Sequence, residues 1–297
     1  MPIIDAHHHL WDTRANRYPF LQGPMHDRGW GDWSALRESY LPEHFLHDAR
    51  NQDLAKSVHV QANFDPADPV GETRWLDAVA ALPASRGCPH GIVGFADFSS
   101  PDVQRTLQGH AQSPRMRGVR QVLNRHPDPR LNRAEHDYLA DARWSANVGL
   151  LREYGWSFDV QVYHHQMTQV AALARRHADV VFVLDHAGMP VERDAAALQG
   201  WRRGMQALAA CPNVMVKLSG YGMAELNWTT DSIRPFVLQP IEWFGVERAM
   251  FASNFPVDRL MASYDRLWNA YRELVADFSQ AERHQLFYGT AERVYRL

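Results

Sequence analysis

Cysteine is nearly absent from this 297-residue chain: Cys88 and Cys211 lie far apart, outside any CxxC or His-flanked arrangement. That excludes a disulfide framework and a thiolate metal site, and leaves two small residues expected to be buried. Lysine is equally scarce. Lys56 and Lys217 are the only two, so the positive charge is almost all arginine, and Lys217 stands out by sitting inside an apolar run. No apolar run approaches the ~18 residues of a membrane span, and a strand starting at Ile3 leaves no room for a secretory n-region and h-region. A cytoplasmic location and no membrane partner are therefore expected. A net charge of −3 argues against a nucleic-acid partner. With 45% hydrophobic and 22% charged residues, the chain has the composition of a folded globular protein rather than a disordered one.

What is present is a recurring pattern. Eight β-type runs, at residues 3–9, 57–64, 91–98, 116–123, 157–164, 180–188, 213–221 and 248–257, leave room for a helix between neighbours. Residues 73–82 and 165–177 carry apolar side chains three and four apart, the period of amphipathic helices. Eight βα units predict an α/β fold, a (β/α)8 TIM barrel in a single domain spanning 1–297, with its site at the C-terminal ends of the strands. An open doubly wound sheet is the alternative, but no GxGxxG turn follows any strand to support it. The C-terminal stretch 263–297 reads as closing helices, with Ser279 as N-cap and Glu282 completing a capping box. Residues 11–45 are too long for a simple βα turn. They carry Trp11, Tyr18, Phe20, Trp30 and Trp33, which fits either a substrate-covering lid or an Ω-like loop packed over helix ends.

The chemistry starts in the first strand, at Asp5-Ala6-His7-His8-His9. Strand alternation puts Asp5, His7 and His9 on one face, and Ile4, Ala6 and His8 on the other. His7 and His9 are then two rises, about 6.5 Å, apart at Cβ, a spacing that suits chelation of one zinc but is also compatible with solvated terminal histidines. Distant donors are needed to decide. The sixth strand offers His186 after the apolar run Phe182-Val183-Leu184, as a third ligand candidate or a core histidine bonded to a carbonyl. Alternation also predicts an inward polar face: His59, Gln61 and Asn63 on the second strand, Arg120 on the fourth, and Lys217 and Ser219 on the seventh. Buried polar groups cost about 1–3 kcal/mol each when unpaired, so they call for a wet mouth.

The chain resembles the amidohydrolase superfamily, in particular the amidohydrolase-related TIM-barrel group that includes sugar lactonases. The likeness spans its length. It rests on Asp5-Ala6-His7-His8-His9-Leu10-Trp11-Asp12, the segment 68–76, Arg117-Gly118-Val119-Arg120, Asp185-His186-Ala187-Gly188, Lys217-Leu218-Ser219-Gly220 and the segment 251–258 with Ser253-Asn254-Phe255-Pro256. The resemblance implies His7, His9 and His186 as metal ligands and Arg120 as a substrate anchor. It also marks a departure, because Asn254 stands where the superfamily places an aspartate that binds metal and serves as base. An amide takes no proton, so base duty passes to another residue, for which Asp258 is a candidate that could equally be a helix N-cap. The fifth strand lacks a lysine for carbamylation. At most one divalent metal, zinc in first place, is expected.

The expected function is hydrolysis of a small-molecule lactone, such as a sugar lactone, with His7, His9, His186, Asn254 and Asp258 as the catalytic set. Arg120, Lys217, Gln61 and Trp30 are expected to hold the substrate. The resemblance also implies a second enzyme class, metal-dependent decarboxylases of aromatic acids. A third reading, motivated by Asn254, is a ligand-binding barrel without turnover.

Overall fold

The computed structural model describes residues 1–297. Eight parallel strands pair in chain order: β1 (Ile3–His8), β2 (Leu54–Val60), β3 (Gly91–Phe95), β4 (Met116–Val122), β5 (Ser157–Gln161), β6 (Phe182–Leu184), β7 (Val214–Leu218) and β8 (Ala249–Phe251). The ends meet where His8 bridges to Phe255, with His9 N–H donating to Phe255 O (2.7 Å) and Asn254 N–H to His7 O (2.7 Å). This is the (β/α)8 barrel that the strand spacing predicts. The strands are shorter than their apolar runs because most of the C-terminal ends leave the ladder as turns, and those turns carry the polar residues.

Alternation sorts the core into two layers. Val214, Val216 and Leu218 of β7, Phe158 and Val160 of β5, and Leu184 of β6 face the surrounding helices in a 65-residue apolar cluster. Helices Gly71–Ala80, Met167–Arg176 and Ala195–Ala209 bury one stripe each against it. A second cluster of 12 residues fills the barrel floor. In it Ile4, Ala6, Val58, Val60, Val93, Val183, Met215 and Met250 meet Val294 and Tyr295 of the helix Thr290–Tyr295. That helix is reached through Gln280–His284, whose capping box of Ser279 and Glu282 forms as expected.

Two orientations differ from simple alternation. In β1, Asp5 pairs with Ser57 and His8 with His59, so three steps along β1 match two along β2, as in a β-bulge. Ile4 and Ala6 therefore face the floor, yet His7 and His9 also point inward, while Asp5 turns out to accept the Tyr264 hydroxyl (3.0 Å). In β2 the valines, not His59, face inside. His59 sits towards the helix Gly71–Ala80, with Nδ1 accepting Leu10 N–H (3.0 Å) and Nε2 3.4 Å from Glu72. The floor needs apolar volume, and His59 finds polar partners on the outside. No helix is long and apolar enough to cross a membrane.

Candidate active site

A cavity of about 410 Å³ opens at the C-terminal end of the barrel, walled by His9, His186, Arg120 and Asn254 from the strand ends and by Phe20, Arg28 and Trp30 from the loop after β1. That loop folds over the mouth. Trp11, Tyr18 and Trp33 are buried within it, Trp11 pairs with Tyr40, and a short helix Pro19–Gln22 carries Phe20 to the wall.

Below the wall lies a buried layer of charge. Lys217 Nζ contacts Asp159 Oδ2 at 2.5 Å and Asp185 Oδ1 at 3.3 Å, with all three side chains inaccessible. Arg120 completes the balance, 3.6 Å from Asp185 Oδ2 and donating to Gln61 O (2.5 Å) and Gln161 Oε1 (3.1 Å). Asp159 also accepts the hydroxyls of Tyr295 (2.7 Å) and Ser157 (2.9 Å). Two cations and two carboxylates thus offset each other, as burial of such charge requires. Burial works to raise Asp185, yet Lys217 and His7 hold it well below the ordinary carboxylate range; burial raises Asp159 against the pull of Lys217.

The imidazoles stand on this layer. His7 Nδ1 donates to Asp185 Oδ1 (3.2 Å), and His9 Nδ1 donates to Val60 O (2.6 Å), a carbonyl that can only accept. Both Nε2 atoms are then lone-pair acceptors, and they face each other at 3.3 Å. Burial keeps both rings neutral by holding their pKa values well below the usual histidine range, and it pushes His186 down to about 3. His186 Nδ1 pairs with Ser219 Oγ (3.0 Å), and its ring centre is 4.5 Å from that of His7.

The backbone around His186 explains why periodicity stops there. Residues His186, Ala187, Gly188 and Met189 all adopt left-handed conformations, in a 3-10 turn Asp185–Gly188 rather than a continued strand. Non-glycine residues there cost about 1–3 kcal/mol each and cluster at functional sites. Gly220 makes room: a Cβ at this residue would stand 2.6 Å from the His186 ring.

A metal fits these donors. The 3.3 Å gap between two acceptor nitrogens matches two bonds of about 2.0–2.1 Å meeting at a tetrahedral zinc, and without a cation the facing lone pairs repel. His7, Asp185 and His186 form a second donor set whose ligand atoms lie within 4.8 Å of one another. Asp185 was not singled out by the sequence; its position directly before His186 was the available signal.

Other expected site residues are placed differently. Lys217 does not reach the cavity, because Asp159 and Asp185 hold it in the layer beneath. Gln61 turns its Oε1 to Asn63 N–H (2.7 Å) and is not on the cavity wall; its backbone carbonyl, instead, holds Arg120. Asp258 lies behind Asn254, which donates to its Oδ1 at 3.4 Å, and it is inside the short turn Val257–Leu260 rather than an N-cap. Burial raises its pKa to about 7. Asn254 and Trp30 do line the cavity. Arg28, Arg133 and Tyr295 escaped sequence reasoning, since loop and terminal residues carry no period that aims them; Asp159, on β5, escaped it because its partner Lys217 comes from another strand.

Comparison with known proteins places this arrangement. The chain is 46% identical to the uncharacterized protein y4mH of Sinorhizobium fredii, over 99% of this chain and 98% of that one. It is 33% identical to an L-fucono-1,5-lactonase of Burkholderia multivorans, over 99% and 96%. Among solved structures, an amidohydrolase from Burkholderia multivorans with bound zinc superposes with a TM-score of 0.82, at 30% identity and covering 100% of both chains. The sequence profile described as Amidohydrolase matches residues 4–297. On this match along nearly its whole length, the chain belongs to the amidohydrolase family.

Proposed function

We propose that the protein is a lactonase, which adds water to a cyclic ester and releases a hydroxy acid. The observation that carries this reading is the cavity wall itself: a neutral imidazole, His186, shares it with a cationic donor, Arg120, and an amide donor, Asn254. The likeness to L-fucono-1,5-lactonases supports it.

A lactone carbonyl placed between Arg120 and Asn254 accepts hydrogen bonds from both, which stabilise the negative oxygen that develops as water attacks. His186, neutral because burial penalises its charged form, takes the proton that the attacking water loses as negative charge develops beside it in the tetrahedral adduct, and returns it to the ring oxygen when the adduct collapses and the C–O bond breaks. Asn254 cannot act as base. Its role is donation, which suits a reactive ester better than an amide. His7 and His9, with Asp185 behind His7, would hold one divalent metal, which when bound polarises the carbonyl or acidifies water. Lys217 and Asp159 fix the charge and position of Asp185 from below.

The test is a panel of aldonolactones followed by acid release. Ring opening at an enzymatic rate, reduced about 10²–10⁴-fold in kcat by His186→Ala, supports the proposal. Loss of benzoate-type acids with carbon dioxide release and no lactone turnover would replace it by a decarboxylase. Ligand binding without any turnover would leave a binding barrel.

A further inference from the structure

The outer half of the cavity holds two arginines with no carboxylate partner. Arg28 is ringed by aromatic side chains, its Cζ 5.4 Å from the centre of Phe20, 5.6 Å from Trp30 and 5.5 Å from Trp33. Its Nε is buried and makes no hydrogen bond. Arg133, from the loop after β4, stands 5.6 Å from the same Trp30 ring and donates only to backbone carbonyls, Arg28 O at 3.0 Å and Asn132 O at 3.3 Å. Asp27 is the one acid on the cavity wall, and its Oδ1 folds back onto Gly29 N–H (2.8 Å).

This placement is costly without a ligand. Burial and then the neighbouring Arg133 bring Arg28 down to about 10, so the pair is a site where positive charge repels itself in a low-dielectric surround. Arg120, deeper in the wall, has Asp185 3.6 Å away to offset it; neither Arg28 nor Arg133 forms an ion pair, and Asp128 and Asp27 act on Arg133 only from a distance that leaves burial dominant. Aromatic rings border both guanidiniums, and the unpaired Arg28 Nε–H is left as a donor for a planar anion.

We propose that the substrate is a lactone bearing a free carboxylate, with that carboxylate bound by Arg28 and Arg133 beside Trp30 while the ring carbonyl lies at Arg120 and His186. The inference rests on the lactonase reading, and it moves the substrate class from neutral sugar lactones to acidic ones. Planar bidentate pairing of guanidinium with carboxylate supplies both affinity and orientation across the cavity.

The test compares two lactones of one ring, one carrying an exocyclic carboxylate and the other a hydroxymethyl group. Wild-type protein is expected to favour the acid by about 10–100-fold in kcat/KM, the range of one or two charge-assisted hydrogen bonds. Arg28→Met and Arg133→Met are each expected to collapse that ratio at least tenfold through KM, while Arg28→Lys retains part of it. Calorimetric binding of the ring-opened dicarboxylate and of the matching monocarboxylate separates the two layers of inference. Arg28-dependent preference for the dicarboxylate without turnover of any lactone keeps the anion subsite and removes the lactonase reading. Equal turnover of both lactones, unaltered in ratio by Arg28→Met, overturns the subsite and leaves that reading intact. Preference for a phosphorylated lactone over the carboxylated one overturns the choice of anion.

Discussion

His7 and His9 present Nε2 to Nε2 at 3.3 Å, and each has already committed Nδ1–H, one to Asp185 and the other to the Val60 carbonyl. Two acceptors held face to face in a buried site are a preorganised receptor for a cation: the Val60 carbonyl requires a donor at His9 Nδ1, and the closer of the two groups at His7 Nδ1, Asp185 at 3.2 Å against Lys217 at 3.5 Å, favours a donor there too.

Metal content should follow that pair. Purified protein equilibrated with zinc and then desalted is expected to retain one equivalent by elemental analysis. His9→Ala should weaken retention by at least about tenfold, whereas Val60→Ala, which alters the barrel floor but keeps the carbonyl that fixes His9, should cost stability with little change in retention. Retention unchanged in His9→Ala would refute the pairing as a metal site.

Lys217 offers a stability prediction. Lys217→Met leaves Asp159 and Asp185 buried with less positive charge, and should cost about 3–5 kcal/mol in chemical denaturation. Adding Asp159→Asn should recover part of that loss. A double variant no better than the single would mean that Lys217 serves packing rather than charge balance.

Gly220 should tolerate no side chain. Its φ of +69° and the 2.6 Å approach to the His186 ring mean that Gly220→Ala must strain the backbone and displace the imidazole. A stability loss of about 1–3 kcal/mol and a larger proportional fall in kcat than in thermal stability are expected. Crystallography of the variant would show whether the His186 to Ser219 contact is broken.

Asp258 sets a pH dependence. Its folded pKa, raised by burial to about 7 from 3.8, means that the folded state holds a proton the unfolded state has already released between those values. Stability therefore declines as pH rises from about 4 to 7, and levels off above, with a slope of at most about 1.4 kcal/mol per pH unit from this group. Asp258→Asn should flatten that window. Denaturation midpoints measured across pH 4–8 on both proteins check the sign.

The architecture was readable because it depends on period and count: eight apolar runs, each long enough for a strand, separated by helix-length segments. The same alternation placed Arg120 and Lys217 inside correctly: β7 pairs without a shift as far as Lys217, and the shift in β4 lies before Gly118, from which the register runs unbroken to Arg120. It failed at β1 and β2, where one added residue and the packing of a floor changed which side faced in. What Lys217 does could not be read, because its partners Asp159 and Asp185 come from other strands and meet it only in three dimensions. Asn254, read as a departure from the family pattern, lies on the cavity wall, while Asp258, offered as its substitute, is turned away behind it.

The bulge in β1 gives this strand a property its neighbours lack. Because the extra residue between Asp5 and His8 reverses the facing partway along, Ile4 and Ala6 fill the barrel floor while His7 and His9, of the opposite parity, still reach the mouth, so one strand serves both layers. Under strict alternation the same residues would present either Ile4 and Ala6 or His7 and His9 to the interior, and the barrel would lose its floor or its imidazoles.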